Sequence, residues 1–142
     1  MKYQFLAGIM SLSMIGLAVG LPLAVPARAA DAAHKIKITQ APPKGGGPDS
    51  WGTMNGTASG PDVDQLRVVM YAITDKAYVQ PTAADPYTPI KGGKWTAGTH
   101  LGWRYAAILC RKTYEPPAVA DDVPDVGGDV LAVSKAEPAP AK

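Results

Sequence analysis

The sequence predicts an all-β protein: a small antiparallel β-sandwich of roughly six to seven short strands, preceded by a signal peptide and followed by a disordered tail. Three observations carry that expectation. Apolar and polar residues alternate with a period of two in short runs, Lys35-Ile36-Lys37-Ile38-Thr39 among them. Turn residues, glycine and proline above all, punctuate the body of the chain roughly every 8 to 12 residues. No segment beyond the N-terminal apolar run shows sustained helical periodicity.

The N-terminal element comes first. Residues 5–25 form an almost unbroken apolar run behind Lys2, and the run ends in Pro26-Ala27-Arg28-Ala29. Ala27 and Ala29 make the small-x-small pattern that signal peptidase cuts after. Residues 1–29 are therefore expected to be a signal peptide, with the exported chain beginning at Ala30 and working in the periplasm or outside the cell. The rival reading is an uncleaved anchor, since about 20 apolar residues can span a bilayer. Pro22, Pro26 and the position of Arg28 favour cleavage, which leaves no membrane span, and no cysteine near the cut supports a lipid anchor.

The strands follow in order. Residues 35–39 alternate as a first short strand, and Ala41-Pro42-Pro43-Lys44-Gly45-Gly46-Gly47-Pro48 is too rich in proline and glycine for anything but a loop. Residues 51–59 read as a glycine-interrupted strand closed by Gly60-Pro61-Asp62. The strongest strand is 65–74, where Leu66, Val68, Met70 and Ala72 share one face and Arg67, Val69, Tyr71 and Ile73 the other. Apolar residues on both faces mark a strand inside a sheet. A short run at 77–80 stops at Pro81. Residues 87–91 resume as an edge strand, confined there by Pro86 and Pro89. Gly92-Gly93 predicts a two-residue hairpin turn that pairs this strand with 94–97. Residues 98–102 turn again into a last strand over 103–113, and Pro116-Pro117 closes the domain. The sandwich thus occupies 30–117. Residues 118–142, acidic, rich in alanine and proline and without an aromatic residue, are expected to be a flexible tail.

Charge adds an asymmetry. The 14 basic and 12 acidic residues of the whole chain become 12 and 12 once Lys2 and Arg28 leave with the signal. Residues 34–114 carry 10 basic and 5 acidic residues, whereas 115–142 carry 2 and 6. A basic body with an acidic tail indicates an anionic partner or a tail folded back on the body, against the plainer reading that mixed charges keep an exported domain soluble. The basic residues are scattered and export removes the usual partner, so no nucleic acid is expected. Cys110 is the single cysteine, so no intramolecular disulfide forms. Its place in Ala106-Ala107-Ile108-Leu109-Cys110 predicts a buried core thiol.

Three elements carry a family likeness: Asn55-Gly56-Thr57-Ala58-Ser59-Gly60, the strand Val68-Val69-Met70-Tyr71-Ala72, and Thr88-Pro89-Ile90-Lys91-Gly92-Gly93-Lys94-Trp95 with Gly102-Trp103-Arg104-Tyr105-Ala106. This layout resembles small secreted Ig-like or transthyretin-like (carboxypeptidase-regulatory-like) β-sandwiches, in which a T-x-I/T…G-x-W/F hairpin precedes G-x-Y-x-a on the last strand. The run Tyr78-Val79-Gln80-Pro81, Thr88-Pro89-Ile90, Gly93-Lys94-Trp95, Thr99-His100-Leu101-Gly102 and Tyr105-Ala106-Ala107 is also similar to a bacterial domain of largely uncharacterised function found alone and beside polysaccharide-acting enzymes. Two positions depart from the pattern. Lys91 stands where an acidic residue usually precedes the turn glycine, and Cys110 stands where an aliphatic is usual. The resemblance covers about residues 38–117 and implies a fold more than a function.

The residues themselves point to a binding module rather than an enzyme. Sugar rings stack their C–H faces on exposed aromatic rings, and amide, imidazole or ammonium groups at the rim bond the hydroxyls. Tyr78, Gln80, Tyr87, Trp95, His100 and Trp103 are the candidate ligand-binding residues on that ground. Against this, Trp95 and Trp103 at strand positions also suit core anchors. Tyr78 and Tyr87 flank a proline-rich loop, where exposure is expected. His100, in a predicted turn, also suits a capping role, and no neighbouring cysteine or second histidine completes a transition-metal site. No G-x-S-x-G elbow supports serine catalysis. Asp62 and Asp64 read as a solvated turn, and the acidic run from Asp121 to Asp129 lacks the ligand spacing of a calcium loop. The expectation is an exported, non-enzymatic module with no catalytic residues, metal or cofactor. Its partner is a polysaccharide, or alternatively a cell-envelope protein joined by sheet-edge pairing.

Overall fold

The computed structural model describes residues 33–141, so the expected signal peptide lies outside the described residues. The described residues form nine strands: β1 (Lys35–Gln40), β2 (Trp51–Ser59), β3 (Arg67–Ile73), β4 (Ala77–Gln80), β5 (Tyr87–Pro89), β6 (Lys94–His100), β7 (Arg104–Cys110), β8 (Val119–Ala120) and β9 (Val130–Ala136). They make a three-stranded antiparallel sheet in the order β1-β2-β6. A six-stranded sheet runs β8-β4-β3-β7-β9, with β5 also paired to β3. The architecture is an all-β sandwich, as the alternation predicts.

The core between the sheets follows from strand parity. Met54 and Ala58 of β2, Trp95 of β6 and the half-buried Ile36 and Ile38 of β1 meet Val68, Met70 and Ala72 of β3, Tyr105, Ala107 and Leu109 of β7, and Leu131 of β9. Trp95 lies across Gly56, its register partner, where an added Cβ would overlap both the indole and the Lys37 carbonyl oxygen. Gly56→Ala is therefore expected to lower stability by about 1–3 kcal/mol through overpacking, read as an earlier denaturant midpoint at an unchanged slope.

The seven expected strands correspond to β1–β7, and the tail supplies two more. Expected to be disordered, it instead pairs β9 along β7 and β8 against β4. Val123 and Val130 join a second buried cluster, with Val69, Tyr71, Ala77, Val79, Ala106, Ile108 and Cys110, on the far face of the six-stranded sheet. That cover explains why β3 and β7 are apolar on both faces. The ion pairs Lys76–Asp121 (2.8 Å) and Arg111–Asp129 (3.8 Å) join acidic residues of this segment to basic residues of the body. These pairs are exposed and contribute little by themselves; the apolar strand Val130-Leu131-Ala132-Val133 holds the segment down. Compositional averaging over an acidic, proline-rich stretch hides those four residues.

The glycine turn forms as expected but does a different job. Gly92 and Gly93 take left-handed φ values of 58° and 72°, and Lys91 and Lys94 exchange both backbone hydrogen bonds across them (2.9 and 3.1 Å). The Asp64 carboxylate accepts both glycine N–H groups, at 3.2 and 3.0 Å. Beyond that single pair the strands part. β5 pairs with β3 and β6 with β2, so the turn carries the chain from one sheet to the other rather than closing a hairpin. β5 remains an outer strand, as its prolines require.

Cys110 is fully buried, its thiol 3.5 Å from the Arg67 carbonyl oxygen. Burial, and then the nearby Asp129 charge, push the thiol up to about 12. The native protein is accordingly expected to resist a thiol-specific disulfide reagent at pH 8 and to react fully once denatured. The proton linkage has a direction. The raised native value favours folding below pH 9 and loses that contribution as the pH climbs from 9 to about 12.

Candidate binding site

The strand predicted to end at Ala97 continues to His100, because Gly98 and Thr99 pair with Thr53 and Gly52. This extension builds the site. Residues of one parity on β2 and β6 point away from the core, and the cross-strand register sets them in rows: Trp51 with His100, Thr53 with Gly98, Asn55 with Thr96, Thr57 with Lys94. β1 extends two of the rows, placing Gln40 beside Asn55 and Lys37 beside Thr57. The result is an open sheet face with an aromatic end and a lysine end.

Trp51 is the residue that sequence reasoning missed as a ligand-binding candidate. It is 51 % exposed, its ring beside the bare backbone of Gly98, whose added Cβ would sit 3.7 Å from the indole. The indole stacks on the His100 imidazole with centroids 3.8 Å apart and planes inclined by 39°. A signal for it exists in the chain. Trp51 shares parity with Thr53, Asn55 and Thr57, the polar side of β2, whereas Trp95 shares parity with the buried Thr99.

Hydrogen bonds fix the imidazole in turn. Gln80, 4 % exposed, accepts with Oε1 from the His100 backbone N–H at 2.9 Å and faces the ring Nδ1 at 3.0 Å. The amide oxygen can only accept, so Nδ1 carries the proton of this bond. The Gln80 amide nitrogen donates to the Tyr78 carbonyl oxygen at 3.3 Å, which holds the amide the same way round. The buried glutamine thereby preorganises the ring on which Trp51 rests. In the middle of the face, Thr96 Oγ1 donates to Asn55 Oδ1, and Asn55 Nδ2 donates to Gln40 Oε1 at 2.9 Å.

The structure brings three of the predicted residues together. Tyr78, Gln80 and His100 line a cleft of about 640 Å³ whose walls include Pro48, Pro81 and Leu101. Tyr78 is 37 % exposed. Its hydroxyl donates to Asp75 at 3.2 Å, and partial desolvation followed by that bond raises the phenol above its ordinary value. The loop bearing Pro48 is held by Tyr105, whose buried hydroxyl donates to Pro43 O (2.7 Å) and accepts from Gly102 N–H (2.9 Å). Leu101 N–H also donates to Ser50 O at 2.9 Å.

The other three predicted residues go elsewhere. Trp95, 3 % exposed, is a core anchor, and the little of it that shows borders a cavity of about 610 Å³ beside Asn55, Lys94 and Thr96 rather than the cleft. The Tyr87 hydroxyl donates to the Tyr114 carbonyl oxygen at 2.7 Å, and its ring packs against the second buried cluster, which commits it to structure. Trp103 is 52 % exposed, as a binding residue requires, but stands between β6 and β7 and is not part of the cleft wall. Its backbone N–H donates to Ile73 O at 2.8 Å.

No protein-family model, curated protein or solved structure matches this chain. Among the described residues, no helix is long and apolar enough to cross a membrane.

Proposed function

We propose that this chain is an exported, non-enzymatic module that binds polysaccharide on the outer face of its three-stranded sheet. One observation carries the reading: a half-exposed tryptophan lies beside a glycine and against a hydrogen-bonded histidine, with an amide and hydroxyl ladder running along the same face. Such a ring needs no rearrangement to receive the apolar face of a sugar, and preorganisation lowers the ordering cost of binding. Gln40, Asn55, Thr96 and His100 supply donors and acceptors at the height of the sugar hydroxyls. The cleft beyond His100, floored by Gln80 and Tyr78, would take a further sugar unit or a branch.

Sheet-edge pairing with a protein has less support. The Ile38 N–H of β1 is taken by the Ser134 hydroxyl at 3.2 Å, and β8 is only two residues long.

Tryptophan emission tests the proposal. In a Trp103→Phe variant, Trp51 is the one exposed indole beside the buried Trp95, so acrylamide quenching reports on Trp51. A polysaccharide that protects it from quenching supports the reading. Unchanged quenching across neutral and acidic polysaccharides rejects it.

A further inference from the structure

We infer that the polysaccharide held on this face is an acidic one, its carboxylate or sulfate groups taken by Lys37, Lys91 and Lys94 at the end of the sheet opposite Trp51. The inference rests on the proposed glycan-binding role and adds the ligand's charge and its direction on the face.

The argument begins with composition. β1, β2 and β6 contain Lys35, Lys37 and Lys94 and not one aspartate or glutamate. Lys37, Thr57 and Lys94 occupy a single cross-strand row, all three exposed. Neighbouring strands lie about 4.8 Å apart, which sets the two lysine backbones about 10 Å from each other with a threonine hydroxyl between them. Lys91 and Lys94 line a cavity of about 610 Å³ together with Thr39, Asn55, Thr57 and Thr96. That cavity therefore begins where the Asn55 ladder ends.

Electrostatics gives the lysines an unfilled role. Among the described residues, none of the three makes an ion pair. Asp64, beside the glycine turn that joins Lys91 to Lys94, accepts the Gly92 and Gly93 N–H groups with its two carboxylate oxygens. Three lysines against one carboxylate leave this end of the sheet net positive, which raises the local potential and draws in anions. Lysine acts as a mobile point charge and is indifferent to the geometry of the anion, so carboxylate and sulfate satisfy it alike.

The face also has direction. His100 lies six positions beyond Lys94 along β6, a distance of about 20 Å at the usual strand rise. A linear chain of several sugar units can thus stack on Trp51, cross the Asn55-Thr96 row and leave an anionic group between Lys37 and Lys94. The neutral amide and hydroxyl row suits sugar hydroxyls better than a second stacked base. An acidic glycan is accordingly favoured over single-stranded nucleic acid.

The test compares matched probes on the domain from Ala30 to Lys142: polygalacturonate against its carboxyl-reduced form, dextran sulfate against dextran, and single-stranded DNA. Affinity electrophoresis or calorimetry should show at least one anionic glycan binding tenfold or more tighter than its neutral counterpart, and losing that advantage at about 300 mM NaCl. Preference for one of the two anionic probes identifies the group recognised. The triple variant Lys37→Gln, Lys91→Gln, Lys94→Gln should bind the acidic glycan no better than the wild type binds the neutral one, at an unchanged melting temperature. Lys112→Gln should retain full affinity. Equal, Trp51-dependent binding of charged and neutral probes overturns the inference and leaves the glycan reading standing. Tighter binding of DNA, or binding of no probe at all, overturns both.

Discussion

Trp51→Ala is expected to weaken polysaccharide binding roughly 30-fold, about 2 kcal/mol, the scale of a tryptophan at the centre of an interface. The fold should survive. Half of the ring already faces solvent, and the residues around it belong to the outer face rather than the core, so the stability change is expected to stay near 1 kcal/mol or below. Calorimetric titration beside a denaturant curve separates the two effects. Gln80→Leu gives a companion result. It removes the acceptor for His100 N–H and Nδ1 while keeping the volume, and it should weaken binding less than Trp51→Ala does, because the ring loses its anchor but not its place. Trp103→Ala should leave affinity unchanged. If instead Trp103→Ala abolishes binding and Trp51→Ala does not, the ligand lies at the β6–β7 loop and the outer face is not the site.

Truncation after Pro117 is expected to abolish cooperative folding. The deletion removes Leu131, Val130 and Val123, each at most 4 % exposed, and buried side chains of this size contribute about 1.5–3 kcal/mol apiece. It also strips one of the two antiparallel partners from β7 and uncovers the face bearing Tyr71, Ile108 and Cys110. Together these losses rival the total stability of an ordinary domain, about 5–15 kcal/mol. The truncated chain should give a broad denaturation profile and a Cys110 thiol that reacts at pH 8. Leu131→Ala in the full chain is the milder case, at about 2–5 kcal/mol with the transition still sharp. A truncated chain with the full-length midpoint would show that residues 118–141 are dispensable cover, contrary to their burial.

The strands were legible where the pattern is local. β3 announces itself through Val68, Met70 and Ala72 on one side and Val69, Tyr71 and Ile73 on the other, and the structure buries all of these but Ile73, which is partly buried. Burial of Cys110 followed from its apolar neighbours. β9 was not legible, since its apolar run stands in acidic, proline-rich surroundings and its partner β7 lies far away in the chain. The site was legible in part. Tyr78, Gln80 and His100 do converge, whereas Trp95 turned inward and Tyr87 was claimed by Tyr114.

By itself, the sequence determined the all-β class, the approximate places of the first seven strands, though not the reach of β6 to His100, and the chemistry of the Gly92-Gly93 turn. Each of these depends on φ preferences and side-chain alternation within a few residues. Only the tertiary structure decided which sheet each strand joined, that the supposed tail became β9, and that Trp51 rather than Trp95 faced solvent. Those outcomes depend on register between distant strands, and a shift of one residue turns every side chain of a strand to the other face.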